Sequence, residues 1–65
     1  MNWVKTVEEK PKTGSKVCFI ALYGNSVYAS FGFVREYGIF DYKSKSIDEW
    51  KNVIYWNYVD FPGVE

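Results

Sequence analysis

The feature that most constrains this chain is the dipeptide Gly24-Asn25, which lies between two runs of strand-forming residues. Lys16–Tyr23 precedes it and Ser26–Val34 follows it, and both runs are rich in β-branched and aromatic side chains. Glycine followed by asparagine is typical of a two-residue β-hairpin with a type II′ turn. Such a short turn also fixes the register, because it places Tyr23 opposite Ser26. The chain is therefore expected to form an antiparallel β-sheet.

The predicted register gives the hairpin two different faces. One face is almost entirely apolar and pairs Leu22 with Val27, Ile20 with Ala29, Cys18 with Phe31 and Lys16 with Phe33. The other face sets aromatic beside small residues and pairs Tyr23 with Ser26, Ala21 with Tyr28, Phe19 with Ser30 and Val17 with Gly32. We expect the first face to form the core and the second to be a shallow platform, open to another element or a second molecule.

The rest of the chain predicts further strands and one short helix. A turn at Arg35-Glu36-Tyr37-Gly38 leads to a short strand at Ile39–Tyr42, and a last strand is expected at Val53–Val59. Between them, Ser46-Ile47-Asp48-Glu49 fits a capping box, which predicts one or two helical turns. The order is expected to end at Phe61-Pro62-Gly63. The predicted fold is one domain, residues 1–65, all-β or β-rich α+β, with about four antiparallel strands and a short helix before the last strand.

The aromatic content indicates a binding module. Phe, Tyr and Trp number five, six and three and make up 22% of the 65 residues. A 60-residue domain buries only about 60% of the surface that its unfolded chain exposes, and each aromatic side chain brings roughly 150–250 Å². Some of these rings must therefore lie at the surface, where clustered aromatics are typical of interfaces.

The partner-binding residues are expected among the aromatics that point away from the predicted core. These candidates are Phe19, Tyr23, Tyr28, Tyr37 and Tyr55. Trp3 and Trp50 are candidates both for the interface and for closing the core. Residues of this kind act as anchors, since the ring is apolar and its polar tip can stay hydrated.

The charge balance argues against nucleic-acid binding. Eight basic and eight acidic residues give a net charge of zero, whereas domains that grip a phosphate backbone usually carry a positive excess. A neutral chain also does little to repel its own copies. Because a core this small is marginal without a disulfide or metal, a homodimer is expected.

The residue types needed for catalysis are scarce. The chain has no histidine, which removes the commonest general base and a common metal ligand. The single cysteine, Cys18, lies on the predicted core face and is interpreted as a small buried hydrophobe in a reducing, cytoplasmic compartment. Asp48 and Glu49 are assigned to the predicted first helical turn. We therefore expect no enzyme, no cofactor, no metal site, no signal peptide and no membrane segment.

One segment favours an alternative function. Ser30-Phe31-Gly32-Phe33-Val34, followed by Gly38-Ile39-Phe40-Asp41-Tyr42, resembles the aromatic stacking strands of cold-shock and related OB-type single-strand binders. A single-stranded nucleic-acid binder of this kind would use Phe31, Phe33, Phe40 and Lys16. The predicted register disfavours it, because it points Phe31 and Phe33 into the core.

The two ends of the chain carry a resemblance to a known family. Trp3-Val4, the segment Lys10-Pro11-Lys12-Thr13-Gly14-Ser15-Lys16-Val17, Val53-Ile54-Tyr55-Trp56 and Phe61-Pro62 resemble the short phage and prophage domains of unknown function grouped as DUF551. Where that family commonly has Thr-His before its closing Trp, this chain has Ile54-Tyr55. The resemblance implies a phage-encoded protein in the bacterial host cytoplasm that binds and blocks a host protein. An antiviral defence system, such as a helicase-based one of the Hachiman kind, is the implied class of target.

Overall fold

The structure is a computed structural model and describes residues 3–59. Its strands are β1 (Val4–Lys5), β2 (Lys16–Tyr23), β3 (Ser26–Arg35), β4 (Gly38–Asp41), β5 (Ser46–Glu49) and β6 (Val53–Tyr58), with one 3₁₀ turn at Trp50–Asn52. The strands form one antiparallel sheet in the order β1-β6-β2-β3-β4-β5. This confirms the predicted β-rich fold class, although the short strands β1 and β5 were not expected.

The hairpin between β2 and β3 has the predicted register. Every pair from Tyr23 opposite Ser26 to Lys16 opposite Phe33 is found as expected. Gly24 has a φ of 61°, whereas Asn25 has no positive φ. A positive φ at the first central residue alone is the signature of a type II′ turn.

A short connection forces the sheet to curl. In the strand order, β5 lies four positions from β6, which is roughly 19 Å in a flat sheet with strands about 4.8 Å apart. Only Trp50–Asn52 joins the two strands, and four Cα steps reach at most about 14 Å even when fully extended. The sheet must therefore bend until β5 approaches β6, and it acquires a concave and a convex face.

The core lies on the concave face, so the predicted choice of core face is wrong. Its fully buried or nearly buried side chains are Val17, Phe19, Ala21, Val34, Ile39, Val53 and Trp56. The face predicted to be the core is the convex one, where Val27 is 69% and Phe31 43% exposed. The N-terminal segment helps to settle this choice, because the Trp56 indole N–H donates to the Glu9 carbonyl at 2.7 Å on the concave side.

A β-bulge in β6 serves the same core. The pairing shifts from Ile20 opposite Tyr55 to Ala21 opposite Val53, which leaves Ile54 as the extra residue. Val53 and Trp56 are three residues apart, yet both are buried. The alternation of buried and exposed side chains along β6 therefore breaks at Ile54, and the bulge adds local twist to the curled sheet.

The predicted capping-box helix is not present. Ser46–Glu49 forms strand β5 and pairs with β4, with Asp48 opposite Ile39. The helical segment is limited to the 3₁₀ turn Trp50–Asn52, which has no side-chain capping bond at Glu49. Strand pairing has overridden a local signal here, as tertiary context often does. The expected end at Phe61-Pro62-Gly63 lies outside the described residues.

Gly32 allows β3 and β4 to approach closely. A Cβ atom at Gly32 would lie 2.0 Å from the Phe40 carbonyl oxygen and 2.9 Å from Cγ2 of Ile39. The carbonyl belongs to the backbone of the paired strand and cannot move aside without breaking the ladder. Only glycine fits at this position, and the curvature of the β3–β4 half of the sheet depends on it.

We expect Gly32→Ala to destabilise the protein more than Gly24→Ala. Gly24 has no neighbouring atom within 4 Å, so its substitution costs only the left-handed backbone conformation, about 1–2 kcal/mol. Gly32→Ala must displace a strand and should cost about 3 kcal/mol or more, at the upper end of overpacking penalties. Urea unfolding of both variants measures the difference, and equal midpoints would contradict the close approach.

Candidate functional site

A cluster of polar side chains replaces the apolar core at the hairpin end of the concave face. We call it the carboxyl cluster, and its members are Tyr23, Tyr28, Ser30, Asp41 and Asp48, contributed by strands β2 to β5. The register explains why these side chains share a face, because Gly32 lies opposite Asp41 and Ile39 opposite Asp48. Four successive strands thus direct one or two polar groups each to the concave side, where the curl of the sheet brings the Tyr23 hydroxyl to Asp48.

Asp41 is fully buried and is held as a carboxylate. Its Oδ1 accepts hydrogen bonds from the Ser30 hydroxyl at 2.5 Å and from the backbone N–H groups of Lys43 and Ser44 at 2.8 and 3.3 Å. Burial alone raises the pKa of Asp41, but the hydrogen bonds from Ser30, Tyr28, Asp48 and the Lys43 backbone outweigh it. The pKa of Asp41 therefore lies well below its ordinary value.

The pKa of Asp48 shifts in the opposite direction. The side chain is 5% exposed and accepts a hydrogen bond from the Tyr23 hydroxyl. Burial raises the pKa of Asp48, and the neighbouring Asp41 raises it further, while the bond from Tyr23 lowers it only in part. The same surroundings raise the pKa of Tyr23 to about 12, first through burial and then through its bond to Asp48.

Two buried oxygen atoms that receive no hydrogen bond indicate how the carboxyl groups of Asp41 and Asp48 can lie side by side. Within residues 3–59, Oδ2 of Asp41 and Oδ2 of Asp48 are buried and accept no hydrogen bond, although the two side chains lie within hydrogen-bonding reach of each other. Two carboxylates cannot bond to each other, but a carboxylic acid and a carboxylate can. A proton on Asp48 satisfies both orphaned oxygens, and it agrees with the opposite pKa shifts of the pair.

An open groove lies beside the carboxyl cluster. It has a volume of about 580 Å³, and its lining residues are Tyr23, Ser26, Val27, Tyr28, Ser44, Ser46, Ile47 and Asp48. We call it the hairpin groove. The Lys43 ammonium lies at its edge, 5.4 Å from the centre of the Tyr28 ring, and donates to the Ala29 carbonyl at 3.2 Å.

A second candidate site lies on the convex face. Phe31, Phe33, Phe40 and Tyr42 form a group that we call the aromatic platform. Phe33 lies opposite Phe40 in the β3–β4 ladder. The Tyr42 ring meets those of Phe31 and Phe40 edge to face, with centroids 5.4 and 6.0 Å apart. The convex face thus presents adjacent aromatic rings that the core does not cover.

Exposed basic side chains outnumber exposed acidic ones among residues 3–59. All eight Lys and Arg side chains are exposed there, whereas Asp41 and Asp48 are buried. The exposed acidic residues of this part are Glu8, Glu9, Glu36 and Glu49, while Asp60 and Glu65 lie outside the described residues. Burial moves two carboxyl groups away from the surface but leaves the net charge of the sequence at zero.

The predicted partner-binding residues are not gathered in one place. Tyr23 and Tyr28 meet in the hairpin groove. Tyr37 lies at the β3–β4 turn and is 76% exposed, and Tyr55 is half-buried on the convex face. The prediction of an exposed Phe19 is wrong, because this side chain is fully buried in the core and cannot contact a partner in the folded chain.

Three other sequence predictions have mixed outcomes. Trp50 packs partly against the core and donates its indole N–H to the Glu36 carbonyl at 3.1 Å, whereas Trp3 is exposed. Cys18 is not a core residue, since it lies half-buried on the convex face. The sequence did not predict the carboxyl cluster, because Asp48 was assigned to a helix. Pairing of Gly32 with Asp41 in the next strand would have placed Asp41 on the same face as Gly32, which is the concave face.

Residues 3–59 contain no group of three or more His, Cys, Asp or Glu side chains arranged to hold a metal ion. No helix in this part of the chain has the length and apolar character needed to span a membrane.

Comparison of the chain with protein-family models, with curated proteins and with solved structures gives no match. The resemblance to short phage domains therefore stays a prediction. Its closing Phe61-Pro62 also lies outside the described residues.

The opposite pKa shifts of Asp41 and Asp48 predict an unusual dependence of the folding stability on pH. The raised pKa of Asp48 stabilises the fold below its unfolded pKa of about 3.9, and this stability is lost as pH rises through the folded pKa. The lowered pKa of Asp41 acts in the opposite sense, since its contribution is lost as pH falls below about 3.9. Because the chain has no histidine, few other side chains titrate between about pH 5 and 7.5.

We therefore expect Asp48→Asn to melt at a higher temperature than the wild type at pH 7.5, and the difference between the two melting temperatures to shrink as the pH falls. The amide N–H can donate to Asp41 without a titrating proton. The control Asp41→Asn should destabilise the protein at neutral pH by about 1.5–3 kcal/mol, because it removes a charged acceptor. Thermal melts between pH 4 and 8 provide the test, and parallel wild-type and Asp48→Asn curves would exclude the shared proton.

Proposed function

We propose that this chain is a non-catalytic protein-binding module whose partner docks in the hairpin groove. The observation that carries the proposal is the convergence of Tyr23 and Tyr28, on separate strands, with the exposed side chains of Val27 and Ile47. An apolar opening bordered by tyrosines suits an inserted partner side chain, since tyrosine offers a large contact area with little flexibility.

The size and polarity of the groove support the same function. Its volume of about 580 Å³ lies within the range of roughly 300–1,000 Å³ typical of binding pockets. Three serines, Ser26, Ser44 and Ser46, stand among its lining residues and can hydrogen-bond a partner backbone. An apolar wall with a few polar groups is the usual composition of a specific recognition site.

The resemblance to phage and prophage domains extends this proposal to a biological role. The partner is then a host protein in the bacterial cytoplasm, which the chain inhibits by stoichiometric binding during infection. A component of an antiviral defence system, of the Hachiman kind for example, is the proposed class of target. The support for this step is the layout of Trp3, Pro11, Gly14, Val17 and Trp56.

Self-association belongs to the proposal as well. The sheet ends at the edge strands β1 and β5, and an edge strand offers backbone groups to a second copy. A homodimer formed in this way would extend the sheet through a two-fold axis. Pairing through β1 would leave the hairpin groove open, whereas pairing through β5 would bring the second copy beside it, since Ser46, Ile47 and Asp48 of β5 line the groove.

A photo-crosslinking amino acid at position 27, expressed in bacterial host cells, tests the groove. Val27 is 69% exposed at the rim of the groove, and Val7 is 93% exposed elsewhere, so position 7 serves as the matched control. We expect a discrete protein adduct from position 27 alone. Val27→Glu should reduce capture of the same protein about thirtyfold, the loss expected for an anchor worth about 2 kcal/mol, while Val7→Glu should not.

The experiment has clear contrary outcomes. Adducts that form equally from positions 7 and 27, or an adduct insensitive to Val27→Glu, would remove the groove as the docking site. Thermal melts of the two glutamate variants must accompany the capture. Substitutions of exposed side chains normally change stability by no more than about 0.5 kcal/mol, so a loss of capture in a folded variant reports on binding.

A further inference from the structure

The aromatic platform has open rings. Phe31 is 43% exposed, and Phe33, Phe40 and Tyr42 are also accessible. The contacts of Tyr42 with its two neighbours are edge to face, with interplanar angles of 68° and 71°. Each such contact occupies one face of one ring, so further ring faces remain available. Flat aromatic ligands can therefore stack on this surface.

Basic side chains border the same rings. Lys16 lies opposite Phe33, and Arg35 follows two residues after Phe33 on the same face of β3. Both are exposed, and within residues 3–59 neither forms an ion pair, the one described pair being Lys51 with Glu49. On β2, β3 and β4, no acidic residue points to the convex face, while Glu49 on β5 lies opposite Gly38 and therefore on the same side as Arg35. Lys16 and Arg35 outnumber this carboxylate, and the surroundings of the platform therefore favour an anion.

We propose that the aromatic platform is a binding site for single-stranded DNA. Aromatic rings that stack bases, combined with cations that meet the phosphates, are the recurring chemistry of proteins that bind single strands without sequence readout. The choice of face no longer argues against nucleic acid, because Phe31 and Phe33 lie on the convex face instead of in the core. The net charge of the sequence is still zero, but Lys16 and Arg35 stand beside these rings.

The neighbouring side chains favour DNA over RNA. Cys18, Ile20 and Ala29 continue the convex face beside Phe31, and none of them is the kind of polar group that recognises a 2′-hydroxyl. A surface of rings and aliphatic carbon accommodates deoxyribose as well as ribose and gains nothing from the extra hydroxyl. The site is expected to hold two or three bases, the number that a small sheet surface stacks.

The platform shares no side chain with the site proposed for a protein partner, although the two border each other. Tyr23 and Tyr28 line the hairpin groove from the concave side, whereas Ile47 at its rim lies opposite Phe40 of the platform. Charge complementarity is what selects the occupant, since an apolar partner or a second copy would gain nothing from Lys16 and Arg35. Both of those occupants are distinguishable outcomes of the experiment.

Fluorescence anisotropy with labelled (dT)10 in 50 mM salt tests the proposal. We expect micromolar binding that weakens as salt increases, with a slope of about −0.7 for each phosphate contact. Phe31→Ser should weaken binding at least about fivefold. Its matched control is Tyr58→Ser, which removes a ring that is 51% exposed on the concave side and packs on Trp56.

The basic residues have a control of their own. Lys16→Gln and Arg35→Gln should each weaken binding and reduce the salt slope by about 0.7. Lys10→Gln should change neither, because Lys10 lies over the Trp50 ring, which packs on the core side of the sheet. Equal effects of all three would mean that only general surface charge is involved, and the site would be rejected.

Several results would overturn the proposal. No binding of (dT)10 up to millimolar protein, or binding unaffected by Phe31→Ser in a folded variant, would exclude stacking on the platform. Tenfold tighter binding of (rU)10 would overturn the choice of DNA. Light scattering that shows a wild-type dimer, a monomeric Phe31→Ser variant and no oligonucleotide binding would assign the platform to a second copy instead.

Discussion

The three-residue connection between β5 and β6 is the constraint on which the rest of the structure depends. Trp50–Asn52 cannot cross a flat sheet, so the strands must curl, and curling makes the two faces unequal. The concave face can enclose Phe19 and Trp56, with the N-terminal segment as cover. Within residues 3–59 the convex face keeps exposed side chains such as Phe31 and Val27. A chain of this length has enough residues for one enclosed face only, and its second apolar face therefore meets solvent.

The buried carboxyl pair follows from the same enclosure. Asp41 and Asp48 sit where the concave face meets the hairpin groove, and their neighbours Ser30 and Tyr23 supply hydrogen bonds that make burial tolerable. Burying two charges without a cation would be costly, and the raised pKa of Asp48 favours a neutral acid beside the Asp41 carboxylate, which lowers that cost. The burial of both acids also leaves more basic than acidic side chains exposed among residues 3–59. The preference of the convex face for an anion comes from Lys16 and Arg35 beside its rings, which the net charge of the sequence does not reveal.

The sequence predicts the local parts of this fold well and the non-local choices poorly. Gly24-Asn25 determines turn type and register through contacts a few residues apart, and both predictions are confirmed. The choice of core face depends instead on which face the distant segment around Glu9 covers. Because both faces of the β2–β3 hairpin are largely apolar, the alternation of side chains does not show which face is buried. Asp48 shows the same limit, because its local capping signal was stronger than any visible sign of pairing with Ile39. Because the wrong face was predicted to be the core, Phe19, Cys18 and the rings of the aromatic platform were also assigned to the wrong surroundings.

The two proposed surfaces share strands without sharing side chains. On β3, Tyr28 points toward the hairpin groove, while Phe31 and Phe33 point to the convex face. The two surfaces are not sterically independent, however, because Val27 and Ile47 at the rim of the groove lie on the convex side, with Ile47 opposite Phe40. A partner that contacts Ile47 and a strand that stacks on Phe40 would therefore meet at the β4–β5 edge of the sheet. Binding at one surface is then expected to weaken binding at the other.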